Sequence, residues 1–166
     1  MKRRTVLGSA LPLLQGGRWL DQFLFVNRGE IVRKRVIGTT GGDSTEIVVI
    51  DGDGAAVSSE HEGLLGQSPG DVPAETANSL RERYDSIRFQ LTVSHHDDGP
   101  VIFGRTGTTE YRTSRTLYSG TTVEDHISFQ TSLLERDTII SLSCLASDKE
   151  SLQRRCRVEV GDPTDE

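Results

Sequence analysis

Apolar and polar residues alternate with a period of two along several stretches of this chain, and a helical period is visible in one place only. The clearest alternation runs from Ile87 to Val93, where Ile87, Phe89, Leu91 and Val93 are interleaved with Arg88, Gln90 and Thr92, and Ser94 follows. That pattern predicts a strand with one face in a core and one in water. Near the C-terminus, Thr138 to Ala146 carries Ile140, Leu142 and Cys144 at alternate positions. Arg154 to Val160 carries Cys156, Val158 and Val160, with Arg155, Arg157 and Glu159 on the other side. Folding back over the polar run Ser147 to Gln153 sets Cys144 opposite Cys156, Leu142 opposite Val158 and Ile140 opposite Val160, so one register aligns both apolar sides. A hairpin is expected here. Opposed residues in a non-hydrogen-bonded pair have Cα atoms about 4.5 Å apart, within reach of a disulfide. Cys144 and Cys156 are therefore expected to be joined, with two buried free thiols as the alternative.

The remaining elements follow from the same pattern. Trp19 to Val26 predicts a first strand and Asn27 to Gly29 a turn. Ile31 to Ile37 is β-branched but carries Arg33, Lys34 and Arg35, which predicts an edge strand whose charges discourage further pairing. Gly38 to Asp43 reads as a turn, Glu46 to Ile50 as a strand, and Asp51 to Gly54 as a hairpin turn. Ser58 to Gly70 reads as a surface loop. The single helix expected is Pro73 to Tyr84, with Asp71 placed to cap it and Ala77, Leu80 and Tyr84 down one side. Asp97 to Pro100 turns the chain into Val101 to Phe103. Arg105 to Thr122 is rich in Thr, Arg and Gly, and reads as too polar to be buried. Ile127 and Phe129 mark another strand, and Leu134 to Asp137 a turn. Short alternating strands with frequent turn signals and one helix predict an all-β fold, an antiparallel immunoglobulin-like β-sandwich with one short crossover helix.

Length and charge narrow the picture. At 166 residues with 34% hydrophobic content the chain supports one core, hence a single domain over residues 18–161. The net charge is −6, and Lys2, Lys34 and Lys149 are the only lysines, which argues against a nucleic-acid partner. The N-terminus begins Met1, Lys2, Arg3, Arg4, Thr5, Val6, Leu7, and stays free of acidic residues until Asp21. Its apolar run is far shorter than the ~20 residues of a membrane-spanning helix. With Arg3 and Arg4 ahead of Val6 and Leu7, residues 1–17 resemble a twin-arginine export signal, an address and not an anchor. Together with the strand-rich, acidic body, this resembles the small exported β-sandwich proteins of salt-adapted archaea. The resemblance implies a cell-envelope or extracellular location and no defined activity; a basic N-terminus on a cytoplasmic protein is the alternative. Residues 162–166 form an acidic tail.

Candidate chemistry is sparse. Gly66, Gln67, Ser68, Pro69, Gly70 matches the G-x-S-x-G of a nucleophile elbow, but no parallel-sheet pattern precedes it. Asp51, Asp53 and Glu62 fall at positions 1, 3 and 12 of a calcium loop, yet Ala55 and Ala56 stand where an oxygen ligand and a glycine are needed. His95, His96, Asp97 and Asp98 are the densest cluster of metal ligands, but adjacent histidines on a strand point to opposite faces, and His61 and His126 can join them only through the fold. Arg88, Arg112, Arg115, Arg154, Arg155 and Arg157 fit a solvated face paired with acids better than an anion site. The expectation is a non-catalytic binding or structural module without cofactor, contacting a protein or envelope component through Arg105 to Thr122. A small serine hydrolase using Ser68 and a metal-binding domain using the His95 region are the alternatives.

Overall fold

A computed structural model describes residues 26–65, 68–96, 106–132 and 134–155. The export-signal residues Arg3 and Arg4, the strand proposed over 19–25, the turn at 97–100, Val101 to Phe103, Cys156 to Val160 and the acidic tail lie outside them. The described strands form one antiparallel sheet: β1 (Val26–Thr40), β2 (Asp43–Asp51), β3 (Gly54–Val57), β4 (Ser86–His95), β5 (Thr108–Thr113), β6 (His126–Thr131) and β7 (Ile139–Ala146). Among the described residues four short helices accompany them: α1 (Glu62–Leu65), α2 (Ala74–Arg81), α3 (Arg115–Ser119) and α4 (Lys149–Arg155). No helix among the described residues is long and apolar enough to cross a membrane.

The all-β, antiparallel character is as expected, but the sheet is organised around a strand that the charge pattern had placed at an edge. β1 pairs with β4 along one side; along the other it pairs with β6 over Val26 to Glu30 and with β2 over Arg33 to Thr40. The expected turn at Asn27 to Gly29 is part of this strand. A register shift in the β1–β4 ladder between Ile31 and Arg33 leaves Val32 as a bulge. Because side chains alternate at every residue, one extra residue reverses which positions face inward. Ile31 is in the core before the bulge; after it Lys34 and Val36 are inside while Arg33 and Arg35 face out. Thr40 pairs with Asp43, and both turn residues, Gly41 and Gly42, have positive φ (60° and 96°), as a tight hairpin turn of this hand requires.

Sheet order runs β3-β2-β1-β4-β5, with β6 on the free part of β1 and β7 on β6. A parallel bridge between Arg112 and Thr138, with Arg112 N–H donating to Asp137 O, brings β5 against the start of β7. The run β1, β4, β5, β7, β6 thus returns to β1. Its inner face holds Ile31, Val36, Phe89, Leu91, Val93, Tyr111, Ile127, Phe129 and Ile139, and Leu65, Val72, Ala77, Leu80 and Tyr118 from the helices and loops join the same cluster. Arg105 to Thr122 was expected to be too polar to bury, yet Tyr111, Tyr118 and Thr121 are at most 1% exposed. Large aromatic residues dominate burial even when widely spaced among Thr and Arg.

The C-terminal hairpin is the main correction. Ser147 to Gln153 is no turn, and Arg154 and Arg155 do not begin a strand: Lys149–Arg155 is helical, with Asp148 Oδ1 accepting from Ser151 N–H at 2.7 Å. That bond holds the Asp148 carboxyl below its usual range. β7 pairs instead with β6, and Cys144 stands opposite Ser128. Shifts in that ladder split the expected apolar side: Ile139 is buried, Ile140 is 59% exposed, and Leu142 packs partly on the core. Leu152 and Ala146 are buried outside the main cluster, and Ser128 beside them is buried too, so α4 covers the outer side of β6 and β7. The helix expected to run from Pro73 to Tyr84 stops at Arg81, and Pro73 occupies its N-cap with no side-chain cap, so Asp71 does not play that part.

Candidate functional site

After the Val32 bulge, β1 presents Arg33 and Arg35 on the sheet's outer face. Arg33 Nη2 lies 3.4 Å from Asp51 Oδ2. The Arg35 guanidinium is bracketed by two carboxylates, Glu46 on β2 at 2.9 Å and Glu110 on β5. Gln90 stands opposite Arg35, Arg112 opposite Gln90, and Arg88 opposite Ile37. Arg88 Nη2 donates to Ser44 Oγ at 3.2 Å and reaches Thr39 Oγ1 at 3.4 Å. The Nε atoms of Arg35 and Arg88 and Oε1 of Gln90 are shielded from water without a hydrogen-bond partner among the described residues. Exposed ion pairs of this kind contribute roughly 0–1 kcal/mol each, so they set side-chain orientation more than stability. Among the arginines expected to pair with neighbouring acids, Arg88 meets hydroxyl groups, and the ion pairs found belong to Arg33 and Arg35. Arg115 instead donates to Val72 O at 2.9 Å, tying α3 to the loop before α2.

Lys34 faces the other way and is 1% exposed. Its Nζ donates to Gly70 O at 3.1 Å and to Thr121 O, and lies 4.3 Å from the centroid of the Tyr118 ring. A ring face attracts a desolvated cation, and two carbonyls complete its shell. Burial still lowers its pKa to about 8, with Asp125 and Asp71 pulling the other way. Burial pushes the Tyr118 hydroxyl up, and that oxygen has no partner among the described residues. Lys34 therefore clamps the loop before α2 and the end of α3 onto the sheet.

The four histidines fall into three settings. His95 points into the core, where Nε2 shares a 2.9 Å hydrogen bond with Tyr111 OH, and the ring packs near Phe129. His96 points out, so the two diverge as strand alternation requires. On the outer face His96 Nε2 meets His126 Nδ1 at 3.0 Å, the rings stacked with centroids 5.0 Å apart. His61 joins Ser58 Oγ (3.0 Å, Nδ1) to Tyr84 OH (3.3 Å, Nε2), beside an open cleft of about 590 Å³ lined by Thr45, Ser58, Ser59, Glu60, Arg83 and Tyr84. Burial, then the Arg83 charge, lowers the His61 pKa. A serine nucleophile needs its histidine oriented by an acid on the far nitrogen, and a neutral phenol supplies no such charge. The chain of bonds instead holds the Tyr84 ring over Gly38, where a Cβ would fall 2.5 Å from Cδ1.

Comparison with protein-family models, curated proteins and solved structures finds no match.

Function must therefore be argued from these side chains. Ser68 is exposed on the loop before α2, and its hydroxyl has no hydrogen-bonded base among the described residues. Asp51 belongs to the β2–β3 turn, where Oδ1 accepts from Asp53 N–H at 3.1 Å, while Glu62 lies apart on α1. No three His, Cys, Asp or Glu side chains among the described residues converge to hold a metal. Cys144 lies on the outer side of β7, and Cys156 is outside the described residues. Sequence reasoning missed Lys34 and the Ser58–His61–Tyr84 chain; that His126 could join the His95–His96 cluster through the fold was noted, and His96 is the one it meets.

Proposed function

We propose that this chain is an exported, non-catalytic binding module that engages a protein or envelope component through the outer face of β2, β1, β4 and β5. The observation that carries this reading is the fixed array Asp51–Arg33 and Glu46–Arg35–Glu110, contributed by β2, β1 and β5 and reaching across β4. Charged side chains already held by neighbours lose less rotamer freedom when a partner docks. On this face Arg33, Arg35, Arg88 and Arg112 outnumber Asp51, Glu46 and Glu110 by one, whereas the chain as a whole carries −6, which favours an acidic partner surface. Of Arg105 to Thr122, the contact region expected from sequence, Glu110 and Arg112 of β5 lie on this face, while Tyr111 and Tyr118 hold the core.

The export reading rests on Arg3 and Arg4, and an exported location would favour a Cys144–Cys156 bond. The closed run of strands supports a flattened, sandwich-like wrap of one sheet around the core; the immunoglobulin-like order of strands is not favoured by β6 and β2 sharing one side of β1. The test is charge reversal. Arg33→Glu with Arg88→Glu should leave the melting temperature within a few degrees and release the protein from the envelope fraction. Unchanged envelope association in a folded double variant would overturn the assignment of this face.

A further inference from the structure

His96 and His126 lie outside the face just described. They sit at the end of β4 and the start of β6, on either side of β1, where Arg28 O accepts from His96 N–H and Glu30 pairs with His126. Their ring nitrogens face one another at 3.0 Å, and both side chains are half-buried. Strand alternation fixes this: His95 and Ile127 take the core positions, so their neighbours in sequence must emerge together on the outside.

We propose that His96 and His126 bind a transition-metal ion such as Zn²⁺ between His96 Nε2 and His126 Nδ1. Two ligands at ~2.05 Å from a tetrahedral Zn²⁺ are separated by roughly 3.3 Å, so the nitrogens need to part by a few tenths of an ångström while the rings tilt to bring both lone pairs onto the ion. Imidazole nitrogens suit Zn²⁺, Cu²⁺ and Ni²⁺ and not Mg²⁺ or Ca²⁺. For the ion to enter, both facing nitrogens must offer lone pairs. The ring that donates the present hydrogen bond must then carry its proton on its other nitrogen. Glu30 stands opposite His126 in the β1–β6 ladder, on the same side of the sheet. With two protein ligands the site is of modest affinity, and water fills the open positions.

The test is calorimetric titration of the full chain, purified without a polyhistidine tag, with Zn²⁺ at pH 7.5, where one ion per chain is expected. Loss of an outer-shell partner already weakens a metal site by about tenfold or more, so His96→Ala and His126→Ala should each do at least that, while His61→Gln binds as the native chain does. Binding undiminished in a folded His96→Ala, or equal binding of Mg²⁺, would overturn the proposal. If either alanine variant fails to fold by circular dichroism, Cu²⁺ resonance on the native chain decides. Coupling to two imidazole nitrogens supports the site, and an all-oxygen signature rejects it.

Discussion

Burial has moved the Lys34 ammonium away from its ordinary titration range, and the sign of its effect on stability follows. Its pKa is about 8 in the folded chain, against about 10.4 unfolded, so between these values the unfolded chain binds more protons and stability rises with pH. The melting temperature should therefore be higher at pH 9.5 than at pH 7.5, and Lys34→Met should flatten that rise. An equal rise in both proteins would contradict the assignment. His61 acts with the same sign in a lower window. Its lowered pKa keeps it neutral in the fold, so its contribution is full above about pH 6.5 and lost as pH falls below. His61→Gln should lose less stability than the native chain between pH 7 and pH 5, as measured by paired thermal melts. Neither residue was legible beforehand, because the run Arg33, Lys34, Arg35 does not say which member faces in; the Val32 bulge does, and it has no sequence signature.

At the scale of elements, strands were legible from alternation, β4 and β7 among them, but the shifts in the β6–β7 ladder reset which side chains of β7 face the core, and its partner was misread. α4 was missed because Lys149, Glu150, Ser151 and Gln153 are as good in a turn as on an exposed helix, and only Leu152 reaches a buried place. Leu152→Ala should lower stability by about 2–5 kcal/mol in a denaturant titration if α4 is docked, and by only a few tenths if it is not. The proposed disulfide does not depend on the expected hairpin, because α4 packs against β7, the strand that carries Cys144. Mass mapping of non-reduced native protein should find Cys144 linked to Cys156, and two alkylatable thiols would refute the bond.

For the whole molecule, alternation revealed an antiparallel all-β chain, whereas strand order depended on the length of β1 and on which of its sides each partner chose, which local pattern does not encode. The export signal is tested by Arg3→Lys with Arg4→Lys, which should hold the protein in the cytoplasm; unchanged export would remove that part of the account. The central claim is that the chain works through its outer charged face. Its most direct measurement places a photo-crosslinking residue at position 33, 88 or 112 in native cells, with position 63 on α1 as control. The account predicts adducts to one envelope component from the three face positions and none from position 63. Equal labelling from all four positions, or none from the face, would contradict it.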